Sequence, residues 1–253
     1  MELAVLIVIL AFACELVDSS LGMGYGTTLT PLLLVMGYRP VEVVPAVLIS
    51  ECVTGILAGL AHHEFGNVDL RPNTRDFKIT LVLTGLSLVG VLLGVGVAVN
   101  IPAWALKAYV GVLVLTIGLT TLKNRRREIP FSWRRVAGLG LLAAFNKGIS
   151  GGGYGPVVTG GQVLSGIRGR SAVGIASLAE GVTSAVGAVA YLCTGAPFPW
   201  QLAPSLVLGA TLSVPLSAYV VSRLPAGRLT LLIGSLSTGL GAYTLVRVVM
   251  AAI

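Results

Sequence analysis

From Gly181 to Ser222 the chain carries no Asp, Glu, Lys or Arg. That stretch is about twice the ~20 residues one membrane helix needs. A soluble domain of this size could bury a large core, but its surface would still require charge, and only 11% of the 253 residues are charged. Uninterrupted apolar runs of about helix-spanning length recur, which excludes the ~10-residue alternating strands of a membrane barrel. The fold class is therefore an all-α polytopic membrane protein. The formal net charge of +7 does not call for nucleic acid, because in a membrane protein the placement of cations matters more than their sum.

Six segments are long enough to span ~30 Å at 1.5 Å per residue: Val41 to His62, Ile79 to Val99, Ala103 to Leu122, Ala172 to Leu192, Pro204 to Ser222 and Leu229 to Ala251. Four others are short: Leu3 to Val17, Thr27 to Gly37, Val136 to Asn146 and Pro156 to Gly166. The short ones come in pairs joined by the glycine-rich breaks Ser19 to Gly26 and Gly148 to Gly155. Each pair reads as a helical hairpin with its tip near the membrane midplane.

The chain is a tandem duplication. A shift of 129 superposes Gly22 on Gly151, the triplet Gly24-Tyr25-Gly26 on Gly153-Tyr154-Gly155, Gly37 on Gly166 and Glu51 on Glu180. Further on the shift becomes 123, matching Gly111 to Gly234 and Gly118 to Gly241. Repeats are expected over 1–122 and 136–253, with a basic linker over 123–135 between them. If both short pairs return to the side they entered, thirteen cations gather on one side and Arg39, Lys107 and Arg247 on the other. By the positive-inside rule the linker is then cytoplasmic and both termini are outside. Each repeat holds a glycine-broken hairpin plus three crossings, so the two are inverted, the arrangement of secondary transporters.

Residues at the breaks suit an anion. Glycines let backbone approach a ligand, and helices starting near Thr27 and Pro156 would aim N-H groups and positive dipole ends at the midplane. Candidate binding residues are Ser20, Gly22, Gly24, Tyr25, Gly26 and Thr27 at the first break, with Lys147, Ser150, Gly151, Gly152, Gly153, Tyr154 and Gly155 at the second; hydroxyls of Ser19, Ser20, Tyr25, Thr27, Ser150 and Tyr154 would complete the shell. The plainer reading is close helix packing. Asp18 is the repeat-mate of Lys147, so the two either pair as a structural salt bridge or leave Lys147 to attract substrate. Glu51 and Glu180, mid-segment in apolar helices, either carry a coupling proton or hold the broken helices by hydrogen bonds.

Nothing calls for a cofactor or metal. Cys14, Cys52 and Cys193 lie in apolar runs, where a thiol is usually a small hydrophobe, and His62-His63 reads as an interfacial pair without a third ligand. Arg125 to Arg127 is explained as a cytoplasmic loop. Glu15 is apolar-flanked and has no assigned role. The N-terminus shows no removable signal peptide, no nucleophile and base pair marks an enzyme, and no ATP-binding glycine loop marks a pump.

Gly22-Met23-Gly24-Tyr25-Gly26 followed by Thr30-Pro31-Leu32, and Gly151-Gly152-Gly153-Tyr154-Gly155-Pro156 in the second half, resemble the TauE/SafE sulfite exporter family, also called the toluene sulfonate uptake permease family. The likeness covers nearly the whole chain. It implies a multi-pass protein of a bacterial inner membrane moving sulfite, a sulfonate or a related small sulfur oxyanion. A passive anion channel and a transporter of another small anion are the alternatives.

Overall fold

The computed structural model describes residues 2–98, 103–125, 127, 129–150, 154–193 and 202–250. Among these the chain is all-helical, with ten helices: α1 Glu2–Leu21, α2 Tyr25–Val35, α3 Pro40–Glu64, α4 Arg75–Ala98, α5 Ala103–Asn124, α6 Trp133–Ser150, α7 Tyr154–Leu164, α8 Gly169–Cys193, α9 Ala203–Arg223 and α10 Ala226–Met250. By length and composition, five described stretches can cross a membrane: Leu3–Leu21, Glu42–Glu64, Gly169–Val189, Ala203–Arg223 and Ala226–Met250.

Two expectations need correction. Helices α1 and α6 are not half-length: they have 20 and 18 residues, about 30 and 27 Å at 1.5 Å per residue. Only α2 and α7, with 11 residues each, are short. The first helix continues past Asp18 because its polar residues bond locally instead of breaking it. Ser19 donates to the Glu15 carboxylate one turn earlier, and the real interruption is left to Gly22 and Gly24, whose φ values of 71° and 128° lie in the left-handed region that favours glycine. The basic linker is correspondingly shorter in its irregular part, since α5 runs to Asn124 and α6 begins at Trp133.

The far ends of α2 and α7 repeat each other in detail. Gly37 and Gly166 take φ of 95° and 86°, Tyr38 N-H donates to the Leu33 carbonyl and Ile167 N-H to that of Gln162. These are the same left-handed helix stop, at positions 129 apart.

The chain divides into two compact units, and each draws on both sequence repeats: Met1–Phe77 with Val173–Arg223, and Lys78–Ala172 with Leu224–Ile253. In the first unit α1, α2, α3 and α9 enclose a core of Ile7, Tyr25, Leu29, Leu33, Val47 and Leu206. Small residues bring backbones together there, as they do in membrane bundles. A Cβ on Gly209 would fall against the Val8 backbone, and one on Gly55 would stand 2.7 Å from the Gly181 Cα. Gly59 faces Leu178 while Gly187 faces Leu48, so positions rise along α3 as they fall along α8. Those two sequence-equivalent helices run antiparallel.

In the second unit α5 and α10 do the same, and their contacts are reciprocal. Gly111 meets Leu245 and Gly234 meets Leu122; Gly118 meets Thr238 and Gly241 meets Leu115. Adding 123 to one member and subtracting it from the other converts each contact into its mate. The residues before α6 are fixed in this unit too: Ser132 N-H donates to the Ser165 carbonyl, and the Arg135 guanidinium donates to Leu164 O at 3.0 Å, satisfying a carbonyl at the end of α7.

Candidate functional site

At the first break, three of the groups expected to meet an anion have partners within the protein. The Tyr25 N-H that opens α2 donates to Asp18 Oδ1 at 3.0 Å. Tyr25 is buried and its hydroxyl shares a 2.7 Å hydrogen bond with Ser50, while Thr27 Oγ1 donates to the Gly24 carbonyl. A Cβ on Gly26 would lie 2.8 Å from Glu51 Oε1, so this glycine gives the carboxylate room beside the first turn of α2. Two acidic side chains thus stand at a helix N-terminus, where the dipole favours negative charge. Glu51 is further held by Ser184, whose hydroxyl donates to Oε2 at 3.0 Å. Ser20 is half-buried beside Gly22.

Behind this break lies a small cavity lined by Glu15, Asp18, Glu51, Thr54, Gly55, Ser177 and Glu180. Four of its seven lining residues are carboxylic acids, drawn from α1, α3 and α8, and none is Lys, Arg or His. Such a wall repels an anion and attracts a proton or a cation. The sequence-expected Asp18, Glu51 and Glu180 are brought together here, and Glu15, which had no role, joins them. Glu15, Asp18 and Ser19 sit three and four apart in a continuous helix and so share one face; reading the helix as ending at Val17 hid that.

The second break has the opposite character. Helix α6 continues through Gly148 to Ser150 and α7 begins at Tyr154, while Gly151, Gly152 and Gly153 lie outside the described residues. Tyr154 is 2% exposed, and its hydroxyl shares a 2.8 Å hydrogen bond with Ser87 of α4. The Lys147 ammonium stands 5.1 Å from the centroid of that ring, within reach of a cation-π attraction. Gly155 and Pro156 are buried. A cation therefore accompanies the start of α7, where its repeat-mate Asp18 accompanies the start of α2.

His62 is packed inside the protein. It is fully buried; its Nε2 lies 2.7 Å from the Ser19 carbonyl and its Nδ1 2.9 Å from Asn67 Nδ2, which also donates to Ala218 O. With a proton on Nε2 all three contacts are satisfied. The imidazole ties the end of α3 to the last turn of α1 and, through Asn67, to α9. Its position at the end of an apolar run gave no sign of this, because its neighbours include Ser19 of α1 and Gly174 of α8, both distant in sequence.

Comparison with known proteins places the chain in a family. The profile "Sulfite exporter TauE/SafE" matches residues 6–244. The chain belongs to the TauE/SafE sulfite exporter family. A relative from Bacillus subtilis (strain 168), described as "Probable membrane transporter protein YtnM", is 28% identical over 247 residues, 92% of this chain and 79% of the relative. No solved structure matches the chain. This TauE/SafE protein is thus a multi-pass membrane transporter and not an enzyme, and the family points to a sulfite-like substrate.

The close approach of Gly26 to Glu51 yields a direct test. Gly26→Ala should lower the stability of the purified protein by about 1–3 kcal/mol, the usual cost of overpacking. In a Glu51→Ala background the same change should cost little, because the colliding oxygen is gone. Equal losses in both backgrounds, read from thermal unfolding in detergent, would mean that Gly26 does not make room for Glu51.

Proposed function

We propose that this TauE/SafE protein is a secondary transporter that exports sulfite or a small organosulfonate by alternating access at a midplane site. The observation that carries this reading is the opposed chemistry of the two breaks. Lys147 over Tyr154 makes the start of α7 the attractive end for an anion, and Ser150, Gly151, Gly152, Gly153 and Gly155 are the neighbours that would shape the site. Backbone N-H groups and an ammonium suit the oxygens of a pyramidal or tetrahedral oxyanion. The first break, with Asp18 and Glu51 already at the helix start, would leave no such vacancy; Ser20, Gly22, Gly24, Tyr25, Gly26 and Thr27 then serve to build the turn. The carboxylates behind it are the groups through which a cation gradient, of protons in the simplest case, would drive the anion.

The inverted arrangement belongs to the same proposal. Sequence-equivalent helices pack antiparallel in each unit, which supports repeats of opposite orientation in the membrane. Together with the cation bias it supports a cytoplasmic linker and both termini outside.

Liposomes test the transport reading. Labelled sulfite should cross with saturating kinetics, which an open channel would not give. Lys147→Ala should weaken its apparent affinity ~10-fold or more, a hydrogen bond to a charged group being worth about 1.5–3 kcal/mol, and Lys147→Arg should weaken it less. Non-saturating flux, or equal effects of the two substitutions, would defeat the assignment. For topology, alkaline phosphatase fused after residue 253 should be active; a fusion at that point that fluoresces only in the cytoplasm would defeat the inverted-repeat reading.

A further inference from the structure

Several buried polar atoms lack a hydrogen-bond partner, the Thr121 and Thr211 hydroxyls among them, and the Ser177 hydroxyl is the one of these that lines the acidic cavity. Ser177 of α8 is 5% exposed, lines the acidic cavity of the first unit, and its hydroxyl has no hydrogen-bond partner. A serine hydroxyl at this depth ordinarily bonds back to a carbonyl of its own helix. Thr183, on the same helix, does so to Ala179 O, and Thr54 to Ser50 O. Ser177 Oγ instead is left beside four carboxylic acids, each able to accept its proton, without making that bond. Its oxygen carries lone pairs suited to a donor or a cation.

The surrounding groups define what would fit. Glu15 and Asp18 face the cavity from α1, Glu51 and Thr54 from α3, and Ser177 and Glu180 from α8. Cys14 and Tyr25 are the nearby titratable groups on α1 and α2, and His62 is engaged with Ser19 O outside the lining. Every lining side chain that carries a heteroatom presents oxygen, so the preference is for a hard cation over a soft one. Among the described residues no three of His, Cys, Asp and Glu converge closely enough to cage a metal ion, which argues against calcium or zinc. The cavity, about 10 Å³, has room for roughly one water-sized body. A monovalent ion held by one or two carboxylates and the Ser177 and Thr54 hydroxyls meets all of these conditions.

We propose that the cavity between α1, α3 and α8 is a sodium site, with Ser177 Oγ and Thr54 Oγ1 as neutral ligands and the facing carboxylates supplying the charge. A protonated carboxyl could donate to Ser177 Oγ but would engage that one oxygen, whereas a sodium ion would draw the Ser177 and Thr54 oxygens and a carboxylate together in one shell. Binding of sodium stands independently of the anion assignment. Its use as the driving ion for export rests on that assignment.

The test uses the full-length protein in detergent, without sulfite, at fixed pH and ionic strength. Replacing N-methyl-D-glucamine chloride by sodium chloride should raise the unfolding midpoint saturably, and potassium should do so less well. Ser177→Ala should shift the half-saturating sodium concentration upward ~10-fold, as should Thr54→Ala if the first variant does not fold. Ser213→Ala, whose hydroxyl bonds the Ala210 carbonyl in α9, should leave it unchanged. An equal midpoint in sodium and N-methyl-D-glucamine overturns the proposal, as does a sodium response untouched by the substitution. A stabilisation produced by acidification alone, with no sodium dependence, shows a proton site and overturns it too. Sulfite titration of the same preparation is scored separately: sodium binding without sulfite binding would remove the anion reading and leave the sodium site in place.

Discussion

A break between two helices leaves backbone amides with no partner in their own helix, and the rest of this structure follows from how that is managed. Each unsatisfied group costs several kcal/mol in hydrocarbon. At the start of α2 the protein answers with Asp18, which accepts the Tyr25 N-H, and with Glu51, admitted by the missing side chain of Gly26. Buried carboxylates then need support of their own. Ser19 and Ser184 supply it, and His62 fixes the carbonyl of Ser19. One broken helix thus recruits polar residues from α1, α3 and α8, and the acidic cavity is what results where they meet.

Helices α2 and α7 match in how they stop and in the tyrosine that opens them, but not in the charge beside them. Gly37 and Gly166 stop their helices in the same way, and Tyr25 and Tyr154 both fill the space after their breaks with a ring anchored through its hydroxyl. The anchors differ, Ser50 in α3 against Ser87 in α4, and the charged residue that comes seven positions before the tyrosine is Asp18 in one copy and Lys147 in the other. The charge beside the start of the short helix is thus reversed between α2 and α7.

Much of this was legible in the sequence. Apolar runs located the helices to within a few residues, because a bilayer imposes both length and composition, and the spaced Gly-Tyr-Gly triplets exposed the duplication. Asp18 and Lys147 look like helix ends in an apolar pattern, so the pattern makes α1 and α6 too short; local bonding lets a helix carry a polar residue onward. Glu15, Ser177 and His62 gave no interpretable signal. Their roles depend on neighbours brought in by packing, and single hydroxyls or imidazoles in apolar runs look alike whether they line a cavity or fill a core. The organisation into two units drawn from both repeats was equally hidden, since pattern along the chain does not say which helices associate.

The central claim is that the second break, and not the first, receives the anion. It is tested most directly by titrating sulfite into purified wild type, Lys147→Met and Asp18→Asn under one set of conditions. The asparagine keeps an oxygen able to accept the Tyr25 N-H while removing the charge. The account predicts that Lys147→Met loses affinity ~10-fold or more and that Asp18→Asn binds as tightly as wild type or tighter. Loss of binding in Asp18→Asn with retention in Lys147→Met, both variants remaining folded, would contradict it.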